Sequence, residues 1–330
     1  MSPGNEFNQR SLMLAQTYHD DYDKLCRLDV LGLADSPEHS QAIVHQEFKE
    51  QLTRKPEGWY ETGLPWKGNH PELPNNEEGS KRRLNSLLVR LKRSNLVEPY
   101  DDIIRNQLAE GVIEHAPAVA KGREFYIPHK AVVREAAMST KLRVVYDASA
   151  RAGPNVPSLN DCLYPGPPLQ NRLWDVLVKQ RSHPVVVTGD IAKAFLQVRI
   201  REEERDALRF HWRTHNDQPV ETYRFTRALF GLTSSPFLLG GVIEAHLDTW
   251  VDRYSDEIDL LRRSLYVDDL LTGGSSVDEA EQRKEFAIKV MADATFTLHK
   301  WNSNESSLEA TARSGRRPFI CQRTAGHGTQ

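Results

Sequence analysis

Two adjacent carboxylates interrupt an apolar run in LYVDDLLTGG, residues 265–274. Asp268 and Asp269 repel each other, and burying either charge costs several kcal/mol unless a cation or a hydrogen-bond donor compensates it. The pair alone is equally typical of a hairpin turn, in which Asp is a common residue. A catalytic interpretation therefore requires a further charged partner from elsewhere in the chain.

Asp190 is the candidate partner, because it ends the apolar run HPVVVTGD, which predicts a buried strand. An Asp at a strand end is also common as a turn or helix cap. If the two strands are neighbours, however, three carboxylates converge, and hard oxygen ligands of this kind suit Mg²⁺. Two Mg²⁺ ions about 4 Å apart can activate an attacking hydroxyl and stabilise a leaving pyrophosphate.

The helices and strands predicted around these residues indicate an α+β fold, with an antiparallel sheet flanked by helices. Ser80 is expected to cap a helix whose apolar stripe has helical spacing. The stripe consists of Leu84, Leu87, Leu88 and Leu91. Strands are predicted in VIEHAP, EFYIPHKAVV and KLRVVYDAS and at 207–213 and 220–226. Helices are predicted to begin at Ser235-Pro236 and at the capping box of Ser276 and Glu279.

Composition restricts the class of protein more than its function. Apolar residues are 39% and charged residues 27% of the 330, which is typical of a soluble globular protein. The net charge is −3, but residues 121–151 carry seven basic and three acidic side chains, a local charge of +4 that favours a polyanionic partner. The three scattered cysteines, the lack of a membrane-length apolar run and the polar N-terminus predict a cytoplasmic protein with no membrane partner.

Three motifs resemble the palm motifs of reverse transcriptases in order and approximate spacing: VTGDIAKAF with Asp190, FGLTSSP at 230–236 and YVDD at 266–269. Over roughly residues 25–305, the flanking sequence is similar to the Bel/Pao class of LTR retrotransposons. The matching stretches are LGLADSP, WYETGLPWKGNHPELPNN, LAEGVIEH, YIPHKAVVRE, KLRVVYDASA, SLNDCLYPGPPLQ, FGLTSSPFLL, YVDDLLTG and LHKWNSN.

This resemblance implies an RNA-directed DNA polymerase with a right-hand fold, in which an antiparallel palm is joined to fingers. The implied reaction adds dNTPs to the 3′-OH of a primer on an RNA or DNA template. The implied cofactors are two Mg²⁺ ions, with Mn²⁺ as a substitute. In full-length relatives the polymerase accompanies other Pol polyprotein domains in a cytoplasmic virus-like particle.

The resemblance also implies roles for single residues. Asp190 and Asp268 match the metal-binding aspartates, and Asp269 matches the third acidic position. Phe195 matches an aromatic residue that closes the 2′ side of the sugar and so favours dNTPs, although a Phe in AFLQV is equally suited to a core. Lys300 is the nearest match to the general acid that protonates pyrophosphate. Other alignments place that role at Asn304, and Lys300 is otherwise a surface lysine.

Four further residues are implied to bind the incoming nucleotide. Lys141 and Arg143 match fingers residues that hold the triphosphate, and alternate residues of a strand do point to one face. Without the resemblance, the same pair is typical of a solvated strand face. Phe230 and Gly231 match the segment beside the nascent base pair, where a glycine permits close backbone approach.

The resemblance ends after Asn304, so we expect a polymerase truncated after the palm, with the thumb missing. The expected segments are a polar tail (1–24), a region preceding the polymerase (25–79), fingers (80–165), a palm (166–304) with a fingers β insertion at about 200–226, and an atypical, disordered tail (305–330). Three functions stay open. They are an active polymerase, a catalytically dead remnant with non-specific nucleic-acid binding and, with least support, a two-carboxylate nuclease.

Overall fold

The structure, a computed structural model, describes residues 38–70, 72–133, 142–215 and 218–309. Within these ranges the helices are α1 (Glu38–Gln51), α2 (Glu77–Arg93), α3 (Val97–Ala109), α4 (Leu173–Arg181), α5 (Ser235–Asp248), α6 (Ser255–Arg262) and α7 (Val277–Asp293). The strands are β1 (Thr53–Arg54), β2 (Tyr60–Thr62), β3 (Ile113–His115), β4 (His129–Val133), β5 (Leu142–Tyr146), β6 (Val185–Ile191), β7 (Arg199–Ile200), β8 (Arg209–Trp212), β9 (Glu221–Phe225), β10 (Leu265–Tyr266), β11 (Asp269–Gly274) and β12 (Leu298–Ser303). The predicted α+β class is confirmed.

The sheet that carries the candidate carboxylates has the strand order β10-β11-β6-β12, and its neighbouring strands are antiparallel. Its central strand β6 begins with three valines, whose branched side chains favour extended backbone. Alternate residues of β6 are buried, including Val187 and Gly189. A Cβ at Gly189 would lie 2.7 Å from a ring carbon of Trp301, so glycine is what lets the indole pack against this strand.

The remaining strands form smaller sheets with the orders β3-β9-β8, β1-β2-β7 and β4-β5. The strands predicted at 207–213 and 220–226 are therefore confirmed as β8 and β9. Helix α2 buries its four predicted leucines, but the prediction that Ser80 caps it is wrong. The helix begins at Glu77, four residues before the start that a Ser80 cap implies, after Asn76 in the left-handed region (φ 56°). The buried Ser80 hydroxyl lies 3.1 Å from Nδ1 of His211.

Helix α5 continues from the FGLTSSP motif and packs against α1. It begins at Ser235 as predicted, with Pro236 in its first turn and the Ser235 hydroxyl donating to the carbonyl of Leu229. Phe237 packs against Phe48 of α1, with ring centroids 5.0 Å apart. Helix α1 thus packs onto α5.

Helix α7 begins with the predicted cap, because Oγ of Ser276 accepts a hydrogen bond from the amide of Glu279. The Glu279 carboxylate accepts from the amide of Ser275, one residue before the position that a capping box requires. After β12, a short turn at Ser306–Leu308 buries Leu308, whose carbonyl accepts from Nζ of Lys284. The rest of the predicted tail, 310–330, lies outside the described residues.

No helix in the described ranges is both long enough and apolar enough to cross a lipid bilayer.

Candidate active site

The strand register brings the candidate carboxylates together. Asp190 of β6 lies directly opposite Asp269 of β11, and residues paired in this way project from the same face of an antiparallel sheet. His299 of β12 lies opposite Asp190 on its other side. A row of ionisable side chains therefore crosses three strands.

Asp268 occupies the turn between β10 and β11, so the turn interpretation is correct, and the role of Asp268 as a metal ligand stays a prediction. The preceding residue, Val267, has φ 53°, a left-handed conformation that is costly for a β-branched side chain. The carbonyl of Asp268 accepts a hydrogen bond from the amide of Ile191 at 2.8 Å. This bond ties the hairpin turn to the end of β6 and keeps Asp268 beside Asp190.

Electrostatics at this cluster favour a cation. Burial, followed by the charge of Asp190, raises the pKa of Asp268 above its usual range, while its own backbone amide and Lys300 oppose the shift. Burial, followed by the charges of Asp268 and Asp190, raises the pKa of Asp269. These shifts reflect the repulsion expected of adjacent carboxylates, which a bound cation would offset.

Two basic side chains contact Asp190. Nζ of Lys300 donates to Oδ2 of Asp190 at 2.7 Å, and Nε2 of His299 lies 2.8 Å from the same oxygen. Consecutive strand residues normally face opposite sides, but the β6–β12 register shifts between His299 and Asn302, and Lys300 has φ 51°. This irregularity brings both side chains to one carboxylate.

The two candidates for the general acid differ in their surroundings. The side chain of Asn304 is occupied by backbone groups, since its Oδ1 accepts from the amide of Val186 and its Nδ2 donates to the carbonyl of Pro184. Lys300 is exposed and contacts the carboxylate cluster directly. The geometry therefore favours Lys300 over Asn304, and the acid role itself stays a prediction.

Two of the predicted nucleotide-site residues are in contact. Phe195 is 7% exposed and Phe230 is 57% exposed, and their rings meet edge to face with centroids 4.5 Å apart. Gly231 has φ 111°, and a Cβ there would lie 2.5 Å from the carbonyl oxygen of Tyr146. Glycine is thus required because the backbone at 231 lies close to the end of β5. This contact places the Phe230 segment beside the strand that carries Arg143.

Arg143 lies on the exposed face of β5, opposite Val132 of β4. Its flanking residues Leu142 and Val144 are buried and half-buried, as strand alternation predicts. Lys141 lies outside the described residues. The triphosphate roles of both residues stay predictions.

The donor chemistry of the cluster fits Mg²⁺, because carboxylate oxygens are its preferred protein ligands. Within the described ranges, however, no three potential ligands are already arranged around one ion position. Oδ2 of Asp190 instead accepts hydrogen bonds from Lys300 and His299. A metal bound to this oxygen would require both side chains to move away from it.

Sequence reasoning did not identify His299 as a site residue. Its position depends on the pairing of β12 with β6 and on the irregularity in β12, neither of which leaves a local pattern. The only available signal was its place within LHKWNSN, a stretch already noted for Lys300.

A comparison with known proteins matches the region that contains these residues. A family model described as "Reverse transcriptase (RNA-dependent DNA polymerase)" matches residues 135–303, which include Asp190, Asp268 and Asp269. No curated protein matches the chain. Because the matched region is just over half of the chain, the protein belongs to the reverse transcriptase (RNA-dependent DNA polymerase) family.

Proposed function

We propose that the chain contains the fingers and palm of a reverse transcriptase from a Bel/Pao-type LTR retrotransposon. It would extend the 3′-OH of a primer with dNTPs on an RNA or DNA template. The observation that supports this most is the pairing of Asp190 with Asp269, with Asp268 in the adjoining turn. We assign 80–165 to the fingers and 166–304 to the palm, with 200–226 as a fingers insertion.

The residues that would hold metal are Asp190, Asp268 and Asp269. When bound, two Mg²⁺ ions, or Mn²⁺ as a substitute, supply positive charge that activates the primer hydroxyl and stabilises the leaving pyrophosphate. The protein contributes a fixed position for Asp268 through the bond from the Ile191 amide. Lys300, once released from Asp190, carries at Nζ the proton that pyrophosphate accepts.

The remaining residues would position the nucleotide. Arg143, with Lys141, offers guanidinium and ammonium donors to the triphosphate. Phe195, held beneath Phe230, blocks the space beside the 2′ carbon and so favours dNTPs over rNTPs. Phe230 is exposed and is suited to contact the nascent base pair.

Primer extension tests the proposal directly. Purified protein is incubated with a primed RNA template, dNTPs and MgCl₂, and Asp268→Asn should reduce extension below detection. The matched control is Asp259→Asn, which removes an exposed carboxylate on α6 that pairs with Arg263. Extension by Asp268→Asn at the wild-type rate would contradict the assignment.

The second candidate is an inactive remnant that binds nucleic acid without sequence preference. The observation that favours it is the occupation of Asp190 by Lys300 and His299. It predicts no incorporation by the wild type at any protein concentration, together with binding that weakens steeply as salt is raised.

A further inference from the structure

Two arginines share one indole ring on the surface where the N-terminal region meets the palm. Arg199 of β7 and Arg227 form an isolated antiparallel bridge, which places their side chains on the same face. Cζ of Arg199 lies 4.7 Å and Cζ of Arg227 lies 4.1 Å from the ring centroid of Trp59. Both distances are typical of cation–π contacts.

Arg227 is buried without an acidic partner among the described residues. It is only 7% exposed, and its Nε and Nη1 atoms are buried with no hydrogen-bond partner in the described part of the chain. Burial, followed by the positive charges of Arg199 and Arg205, lowers the pKa of Arg227 to about 10. The guanidinium therefore stays charged at neutral pH, in surroundings that are themselves positive.

The other two arginines that are buried within the described ranges both have acidic partners. Arg209 lies 2.8 Å from Oδ1 of Asp206 and 3.0 Å from Oε1 of Glu124. Arg224 lies 2.7 Å from Oε1 of Glu114 and also reaches Asp206. Both are as buried as Arg227. Among the buried arginines that the structure describes, Arg227 is thus the one without an acidic partner, and an external anion would compensate its charge.

We propose that Arg227 and Arg199 form a binding site for a terminal phosphate group, as carried by the 5′ end of a nucleic-acid strand or by a free nucleotide. Two guanidinium groups supply two positive charges and several N–H donors in planar forks, which match phosphate oxygens. A terminal phosphate carries a charge of about −1.5 to −2 at neutral pH, whereas a carboxylate or a phosphodiester carries a single charge. The terminal phosphate therefore balances the pair best.

Access to this phosphate site is from the side of Trp59 and Arg199, which are both half-buried and reach solvent. The same backbone segments lead to two of the predicted nucleotide-site residues, since Arg199 follows Phe195 and Arg227 precedes Phe230 in short connections. The amide of Ala228 donates to the carbonyl of Val198 at 2.9 Å and fastens these segments together. An anion bound here would also hold the Trp59 region against the palm.

Fluorescence anisotropy tests the site with two otherwise identical strands. A 12-nucleotide DNA labelled at its 3′ end is prepared with a 5′-phosphate or a 5′-hydroxyl. Wild type should bind the 5′-phosphate strand about tenfold more tightly, the difference expected of one charge-assisted hydrogen-bonding group. Arg227→Gln and Arg199→Gln should both abolish this preference while leaving affinity for the 5′-hydroxyl strand unchanged.

The matched control is Arg263→Gln, which removes an exposed guanidinium that pairs with Asp259 on α6. It should keep the tenfold preference. If Arg227→Gln fails to fold by circular dichroism, Arg199→Gln still decides the test, because Arg199 is half-exposed. Equal loss of preference in Arg263→Gln would overturn the proposal.

Competition identifies the source of the phosphate. Pyrophosphate and inorganic phosphate are titrated against the labelled 5′-phosphate strand, with sodium chloride at matched ionic strength. Competition by pyrophosphate supports the site and assigns it to free phosphates, and a strand preference without competition supports it and assigns it to strand ends. A wild type with neither property refutes the proposal. The readout is binding, so this failure is distinct from a failure of primer extension.

Discussion

Replacing Arg227 with methionine should raise the stability of the protein. Substituting an apolar residue of similar volume for a buried ionic group is often neutral or stabilising by about 1–4 kcal/mol. The substitution also removes the contact with Trp59 at 4.1 Å, and cation–π contacts contribute about 0.5–2 kcal/mol. The expected net change in the free energy of unfolding is therefore a gain of roughly 1 kcal/mol.

Arg209→Met provides the opposite case at similar burial. It would remove the Arg209 guanidinium from Glu124 and from Asp206, which is fully buried. Breaking a buried ion pair by removing one partner costs about 3–5 kcal/mol. The loss in the free energy of unfolding should lie near the lower end of this range, because Asp206 keeps Arg224 at 3.1 Å and the amide of Lys121 at 2.9 Å.

Urea unfolding followed by circular dichroism, in phosphate-free buffer at pH 7.5, compares the two variants with wild type. Arg227→Met should move the midpoint to higher urea and Arg209→Met to lower urea. Added pyrophosphate should stabilise the wild type but not Arg227→Met, since a ligand stabilises only the state that binds it. A loss in Arg227→Met as large as that in Arg209→Met would refute the reasoning, because it would show that Arg227 is compensated in the folded protein.

Two further predictions concern packing and pH. Gly189→Ala should lower stability by about 1–3 kcal/mol in thermal unfolding, because its Cβ would meet the Trp301 ring, whereas Gly68→Ala, with nothing within 4 Å, should have little effect. Burial lowers the pKa of His129 to about 4, from an ordinary value of 6.5. Its contribution to stability is therefore complete above pH 6.5 and is lost as the pH falls toward 4, a change on the order of 3 kcal/mol. In urea unfolding at pH 7.5, 5.5 and 4.5, His129→Gln should show a smaller pH dependence than wild type. An identical pH dependence would contradict this assignment.

Much of the fold could be predicted from local patterns. The valine run of β6 and the leucine stripe of α2 have the periodicities of a strand and a helix, and both elements are present. The predicted start of α2 was wrong because Ser80 satisfies the usual rule for a cap, yet Ser80 lies buried inside the helix, which begins after Asn76 without a side-chain cap. A rule based on residue type cannot distinguish a serine that caps from one that packs.

The candidate site was predictable where it depended on motifs and not where it depended on register. Asp190, Asp268 and Asp269 stand in short recognisable stretches. The contact of His299 with Asp190 follows from an irregular strand pairing, and the grouping of Trp59 with its two arginines joins segments far apart in the sequence. Such contacts are set by tertiary packing, which single-sequence patterns do not encode.

The central position of β6 has a consequence for biosynthesis. Its partner in β12 includes His299, which follows Asp190 by 109 residues. At a translation rate of about 5–20 residues per second, β6 waits roughly 5–20 s for that partner. During this interval its valine-rich edge has free backbone donors and acceptors, which can pair with other nascent chains. The yield of folded protein should therefore depend strongly on chaperones and on growth temperature, even if the folded protein itself is stable.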